Sequence, residues 1–145
     1  MQKLYGTVVP IVTPLTEEDT IDVESLKNLV NHVIDGGLQC LYPCGTTGEM
    51  MYLTVEERKQ VAEVTVKEAA GRVPVIASGH VSDKIEDQIT ELNEIAKTGV
   101  DAVILITNRL AKEDEDDSVW IENCKKILEN MDPNVPLGFY ECPYP

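Results

Sequence analysis

The chain alternates two hydrophobic patterns. Short, nearly continuous apolar runs, the first of them rich in β-branched residues, occupy 5–12 (YGTVVPIV), 38–43 (LQCLYP), 73–78 (VPVIAS), 102–106 (AVILI) and 135–140 (VPLGFY). Between them lie longer stretches in which apolar residues recur every three or four positions. The short runs predict strands, and the uninterrupted run 102–106 predicts one buried on both faces. Pro10 cannot donate to a ladder, so it predicts a bulge or a strand end. The longer stretches predict amphipathic helices.

The helices carry their own punctuation. Asp22 caps the first, whose stripe is Val23, Leu26, Leu29, Val30, Val33 and Ile34, and Gly36-Gly37 stops it. Thr54-x-x-Glu57 is a capping box opening a second helix that runs to about Ala70, with Val61, Val64 and Ala69 inward. Ser82 or Asp83 is expected to cap a third, with Ile85, Ile89, Leu92 and Ile95 inward and Gly99 as its stop. A fourth is predicted from about Asp117 to Met131, with Trp120, Cys124, Ile127 and Leu128 inward and Pro133 beyond its end.

Five strands alternating with four helices call for parallel pairing through right-handed crossovers. Periodicity alone does not separate a doubly wound sheet from a barrel. Strand starts are spaced roughly 30 residues apart, and a (β/α)8 barrel of about 250 residues uses about 31 per unit. The expected fold is therefore α/β, an incomplete parallel (β/α)8 barrel, with 1–145 as a single domain truncated after strand five.

Composition narrows the function. Twelve Lys and Arg against 26 Asp and Glu give a formal net charge of -14, which repels polyphosphate and anionic lipid and argues against nucleic-acid or membrane partners. No apolar run reaches the roughly 18 residues that span a bilayer. The four cysteines, Cys40, Cys44, Cys124 and Cys142, form no C-x-x-C pair or regular framework, and the N-terminus has no signal-peptide pattern. A reduced, cytoplasmic protein is expected.

The most distinctive chemistry is Cys44-Gly45-Thr46-Thr47-Gly48-Glu49, directly after the second strand. Gly45 and Gly48 are expected to take positive φ and bring the backbone close to a ligand. Thr46 and Thr47 supply hydroxyls and successive N–H groups as a nest for a carboxylate or phosphate; an ordinary connecting turn has the same composition. Arg109, in the loop after the fourth strand, has the planar fork that suits a carboxylate. His80 follows the third strand and reads as a surface loop residue, His32 as a structural residue of the first helix, and Glu49 as a brace for its own loop. The acidic run Glu113–Asp117 complements the dipole of the helix it precedes rather than forming a metal site. Cys44 and Cys142 lack a neighbouring histidine and read as packing residues.

Several segments together resemble one family, the dihydrodipicolinate synthase and N-acetylneuraminate lyase group of Schiff-base aldolases. They are Gly6 with Thr13-Pro14, the loop Gly45-Thr46-Thr47-Gly48-Glu49, Leu53-Thr54 with Glu56-Glu57-Arg58, and Tyr140-x-x-Pro143. The resemblance implies a cofactor-independent lyase or aldolase, often a homo-oligomer, acting on pyruvate or another 2-oxo acid through an imine on a lysine of strand six. It also implies roles for residues present here. Thr46 and Thr47 would hold the substrate carboxylate, and Tyr140, partnered by Thr46, would relay a proton to the forming carbinolamine.

Three departures accompany the resemblance. The sequence stops before strand six, so the Schiff-base lysine would lie beyond it, and none of its own lysines ends a predicted strand. Leu110 stands in the loop where the synthases carry a tyrosine pair, and Pro145 stands where they place an arginine after the tyrosine motif. Both losses point away from lysine biosynthesis and towards another acceptor or a dehydratase role. The alternative expectation is a catalytically inactive barrel fragment that binds ligand or assembles with partner chains, because an open parallel sheet leaves unpaired edges.

Overall fold

Every predicted strand and helix forms; β4 fills its whole apolar run, and the other four strands are shorter than the runs that contain them. A computed structural model describes residues 4–141. In chain order the elements are β1 (Val8–Pro10), α1 (Val23–Asp35), β2 (Cys40–Tyr42), α2 (Val55–Ala69), β3 (Ile76–Ala77), α3 (Ile85–Ala96), β4 (Ala102–Ile106), α4 (Asp117–Asn130) and β5 (Leu137–Tyr140). Single 3₁₀ turns at Thr46–Gly48 and Met50–Tyr52 follow β2, and another at Thr107–Arg109 follows β4. Pro10 is the last residue of β1, as its missing N–H requires.

All pairings between the strands are parallel. β1 pairs with β2 through Val9 and Leu41, β3 with β4 through Ile76 and Ala102, and β4 with β5 through Ile104 and Gly138. A parallel bridge between Leu41 and Val75 joins the two groups. Spatial order therefore equals chain order across all five strands. A doubly wound sheet would reverse direction at a switch point. This one never does, and each helix packs on the next, so the strands and helices form an arc of a (β/α)8 barrel.

Side chains alternate across the arc with period two. Leu41, Val75, Ala77, Val103 and Leu105 point outward into one large core with Leu26 and Val30 of α1, Val61 and Ala62 of α2, Leu92 and Ile95 of α3, and Ile127 of α4. Cys40, Tyr42, Ile76, Ala102 and Ile104 point inward and form a second, smaller cluster. The uninterrupted apolar run of β4 is explained by this arrangement, since all five of its residues are buried.

The caps at α1 and α2 form as read. Asp22 accepts from the Ser25 N–H at 3.0 Å, and both halves of the Thr54–Glu57 capping box are present. At α3 the expectation fails. Lys84 occupies the N-cap without a side-chain bond, because Ser82 Oγ donates to Glu91 at 3.0 Å and Asp83 pairs with Arg109. Leu128 was expected inward and is 47% exposed. It lies seven residues from the similarly exposed Ile121, at the edge of the buried stripe that Cys124 and Ile127 mark on α4.

Candidate active site

The loop after β2 is built by contacts from three sides. Positive φ falls on Cys44 (54°) and Glu49 (55°), not on Gly45, whose φ is -97°, nor on Gly48. The expectation of left-handed glycines is thus corrected: these two positions are glycine because of crowding. A Cβ on Gly45 would lie 3.3 Å from Cζ of Tyr42, and one on Gly48 would lie 3.1 Å from the Ile11 carbonyl oxygen and 3.3 Å from Thr13 Oγ1. Thr13 Oγ1 donates to the Gly48 carbonyl at 2.7 Å, which ties the chain after β1 to the loop after β2. The left-handed Cys44 is held from the core side, with its Sγ 3.2 Å from the Arg58 carbonyl oxygen. Burial pushes its thiol up to about 12, so it is no nucleophile.

Within the loop, the Gly48 N–H bonds the Gly45 carbonyl at 3.1 Å and the Glu49 N–H closes on the Thr46 carbonyl at 3.0 Å. Glu49 therefore braces the turn through its backbone, while its side chain is exposed. Thr46 and Thr47 are exposed at the start of this turn, where N–H groups have no acceptor within the turn itself.

Thr46 and Thr47 border a cavity of about 380 Å³ on the inner side of the arc. Val8, Pro10, Ile76 and Ile104 provide its apolar wall, and Tyr42, Phe139 and Tyr140 complete it. The ring of Tyr140, 47% exposed, stands edge-on to Tyr42 with centroids 6.2 Å apart and an interplanar angle of 64°. Three predicted site residues, Thr46, Thr47 and Tyr140, thus come together at the C-terminal ends of β2 and β5, the end of a barrel where sites form. Among the described residues no lysine lines this cavity. Lys3, Cys142, Pro143 and Pro145 lie outside the described residues.

Arg109 is placed elsewhere. Its guanidinium donates to the Val81 carbonyl and to Asp83 at 3.2 Å. It lines a separate cavity of about 270 Å³ with Asp83, Gln88, Lys112 and Glu115. Leu110, beside it, is buried in the outer core.

His80, expected on the surface, is 0% exposed. Its Nε2 lies 2.8 Å from the Ile106 N–H, which can only donate, so Nε2 accepts. Nδ1 must then carry the proton and donates to Gln88 Oε1 at 2.9 Å. That fixes the amide of Gln88, whose Nε2 donates to the Arg109 carbonyl at 2.8 Å. Burial lowers the histidine's pKa, which keeps the neutral form. Gly79 permits this position: at φ 140° it passes α3 so closely that a Cβ would lie 2.6 Å from Ile95 Cγ1. His32, by contrast, is exposed in the last turn of α1.

Sequence reading missed a buried ion pair. Arg58 of α2 meets Glu91 of α3 at 2.8 Å. Arg58 also donates to the Leu53 carbonyl at 2.7 Å, and Glu91 accepts from the N–H groups of Val81 at 2.9 Å and Ser82 at 3.2 Å. The pair moors the segments following β2 and β3 to each other. One signal was present: Arg58 and Glu91 have opposite charge and lie in phase with the apolar stripes of their helices, one turn from Val61 and Ile95.

The sequence profile of the dihydrodipicolinate synthetase family matches residues 3–143. The 4-hydroxy-tetrahydrodipicolinate synthase of Oceanobacillus iheyensis is 38% identical over 140 residues, covering 96% of this chain and 46% of the relative. That of Desulfotalea psychrophila is 34% identical over 144 residues, covering 99% and 46%. Among solved structures, the chloride-inhibited dihydrodipicolinate synthase of Acinetobacter baumannii, complexed with pyruvate, superposes with a TM-score of 0.86 at 29% identity, over 97% of this chain and 47% of that one. The chain spans about half the length of the relatives it matches.

Proposed function

The chain belongs to the dihydrodipicolinate synthetase family, and from that premise we propose that residues 1–145 form the N-terminal portion of a (β/α)8 lyase or aldolase whose inner cavity binds pyruvate or another 2-oxo acid. The observation that carries this reading is the convergence of Thr46, Thr47 and Tyr140 on one cavity. A 2-oxo acid presents a carboxylate beside an electrophilic keto carbon. On a protein of net charge -14, such an anion needs local donors, and the threonine hydroxyls and leading N–H groups supply them without a cation. The A. baumannii relative, complexed with pyruvate, supports pyruvate as the first ligand to test.

The amine that attacks the keto carbon belongs to a lysine beyond residue 145, on strand six. The imine it forms is the electron sink for making or breaking the adjacent carbon–carbon bond, so no cofactor is required. Tyr140, at the cavity edge, passes a proton to the carbinolamine oxygen with Thr46 as its partner. Leu110, sealed in the core, offers no second phenol, which favours an acceptor other than that of the synthases, or a dehydration. The enzyme works as a homo-oligomer, as the family resemblance implies, in the cytoplasm, where thiols such as those of Cys40, Cys44 and Cys124 stay free.

Borohydride reduction of the full-length protein in pyruvate tests the reading. A stable pyruvyl adduct on a lysine past residue 145, lost or strongly slowed in Thr46→Ala, is expected. No adduct with pyruvate or with longer 2-oxo acids would overturn it.

A further inference from the structure

We infer that Tyr42 is a positioning residue for both arms of this cavity, the threonine loop and Tyr140, and that Ser78 is its anchor. The inference rests on the 2-oxo acid reading only for its kinetic consequence.

Tyr42 ends β2 with its side chain on the inner face, and Gly45, Tyr140 and Ser78 are among the residues that adjoin it. The loop leading to Thr46 and Thr47 rests on it: a Cβ at Gly45 would lie 3.3 Å from Cζ and 3.4 Å from Cε1 of the ring. The ring of Tyr140 stands edge-on beside it at 6.2 Å. At its tip, the Tyr42 hydroxyl lies 2.5 Å from Ser78 Oγ, and Ser78 Oγ lies 2.8 Å from the Ile104 carbonyl oxygen.

The direction of this chain follows from proton inventory. A carbonyl only accepts, so the single hydroxyl proton of Ser78 goes to Ile104. The phenol proton of Tyr42 then goes to Ser78 Oγ. One directed path thus runs from the end of β2, through the residue after β3, to β4. Ser78 is fully buried, so water does not compete for it.

A phenylalanine at 42 would fill the same volume and keep both ring contacts. Packing therefore does not call for the hydroxyl; fixing the ring's height and rotation does. With the tip tied to Ser78, the ring cannot slide without carrying the Gly45 backbone and the Tyr140 ring. Supporting side chains of this kind hold binding groups within the fraction of an ångström that productive geometry needs.

In the full-length protein, Tyr42→Phe and Ser78→Ala are each expected to slow pyruvate adduct formation by about tenfold, below the ~10²-fold that a 1 Å misplacement can cost. Half-saturation should rise and the limiting rate should fall together. The double variant should be no slower than the slower single, since both remove one link. Tyrosines labelled at Cζ give a readout independent of substrate: the Tyr140 signal should shift in Ser78→Ala, although Tyr42 stands between them. A Tyr140 signal unmoved in both variants, or an adduct rate equal to wild type in both, overturns the inference. If wild type forms no adduct while Ser78→Ala still shifts Tyr140, the positioning role stands and the 2-oxo acid reading falls.

Discussion

The two faces of the sheet use the same five strands in opposite ways. Outward residues such as Leu41, Val103 and Leu105 meet helices on every side and are held by volume alone. Inward residues carry polar groups, and two of these have directional partners: Tyr42 on Ser78, and Ser78 on Ile104. The segments beyond the strands follow the inner rule, with His80 on Ile106 and Glu91 on the Val81 and Ser82 N–H groups. Apolar packing is non-directional and tolerates small shifts. Hydrogen bonds do not, and the candidate site lies beside the Tyr42–Ser78 pair.

The largest test strikes the polar mooring. Glu91→Ala leaves the Arg58 guanidinium buried without its carboxylate, and removing one partner of a buried pair costs about 3–5 kcal/mol. Urea unfolding should show that loss, with much of it recovered when Arg58→Met is added. Failure of the second substitution to recover stability would mean that Glu91 acts mainly through the Val81 and Ser82 N–H groups.

A smaller contrast separates the faces directly. Leu105→Ala on the sealed outer face should cost about 2–5 kcal/mol through lost burial and a residual cavity. Val8→Ala on the inner face, where the side chain is already 45% exposed, should cost no more than about 1 kcal/mol by lost apolar area. Equal costs, measured by thermal or urea unfolding, would erase the distinction.

The gentlest test is pH. Burial lowers the pKa of His80 in the folded state, while in the unfolded chain it keeps its ordinary value of about 6.5. Below that value the unfolded state binds a proton that the folded state refuses, so stability falls as pH drops from about 6.5 towards the lowered pKa. Above it the histidine contributes no slope. His80→Gln should flatten this part of the stability profile; an unchanged slope would assign it to other groups.

Much of the fold was legible because helix and strand periods are local. The stripe of α1 and the capping box of α2 needed only neighbours a few residues away. Where the reading failed, a distant residue decided. Ser82 and Asp83 have good cap chemistry, but Glu91 and Arg109 engage them first. Leu128 has the right residue type but sits at the edge of the stripe, where it is left 47% exposed. At the site, Thr46 and Thr47 were singled out by their place after a strand and Tyr140 by the family's tyrosine motif, and all three border one cavity, whereas Arg109 turns towards Val81 and Asp83.

The sequence by itself determined the order of strands and helices, the parallel crossovers, and the glycine-flanked threonines with a distant tyrosine as the residues to watch. Only the tertiary structure decided why Gly45 and Gly48 are glycines, which tautomer His80 holds, and that Tyr42 ties its hydroxyl to Ser78. Periodicity is a property of the backbone over one or two turns. A hydrogen-bond partner or a missing Cβ depends on which residues, far apart in the chain, the closing sheet brings within a few ångströms.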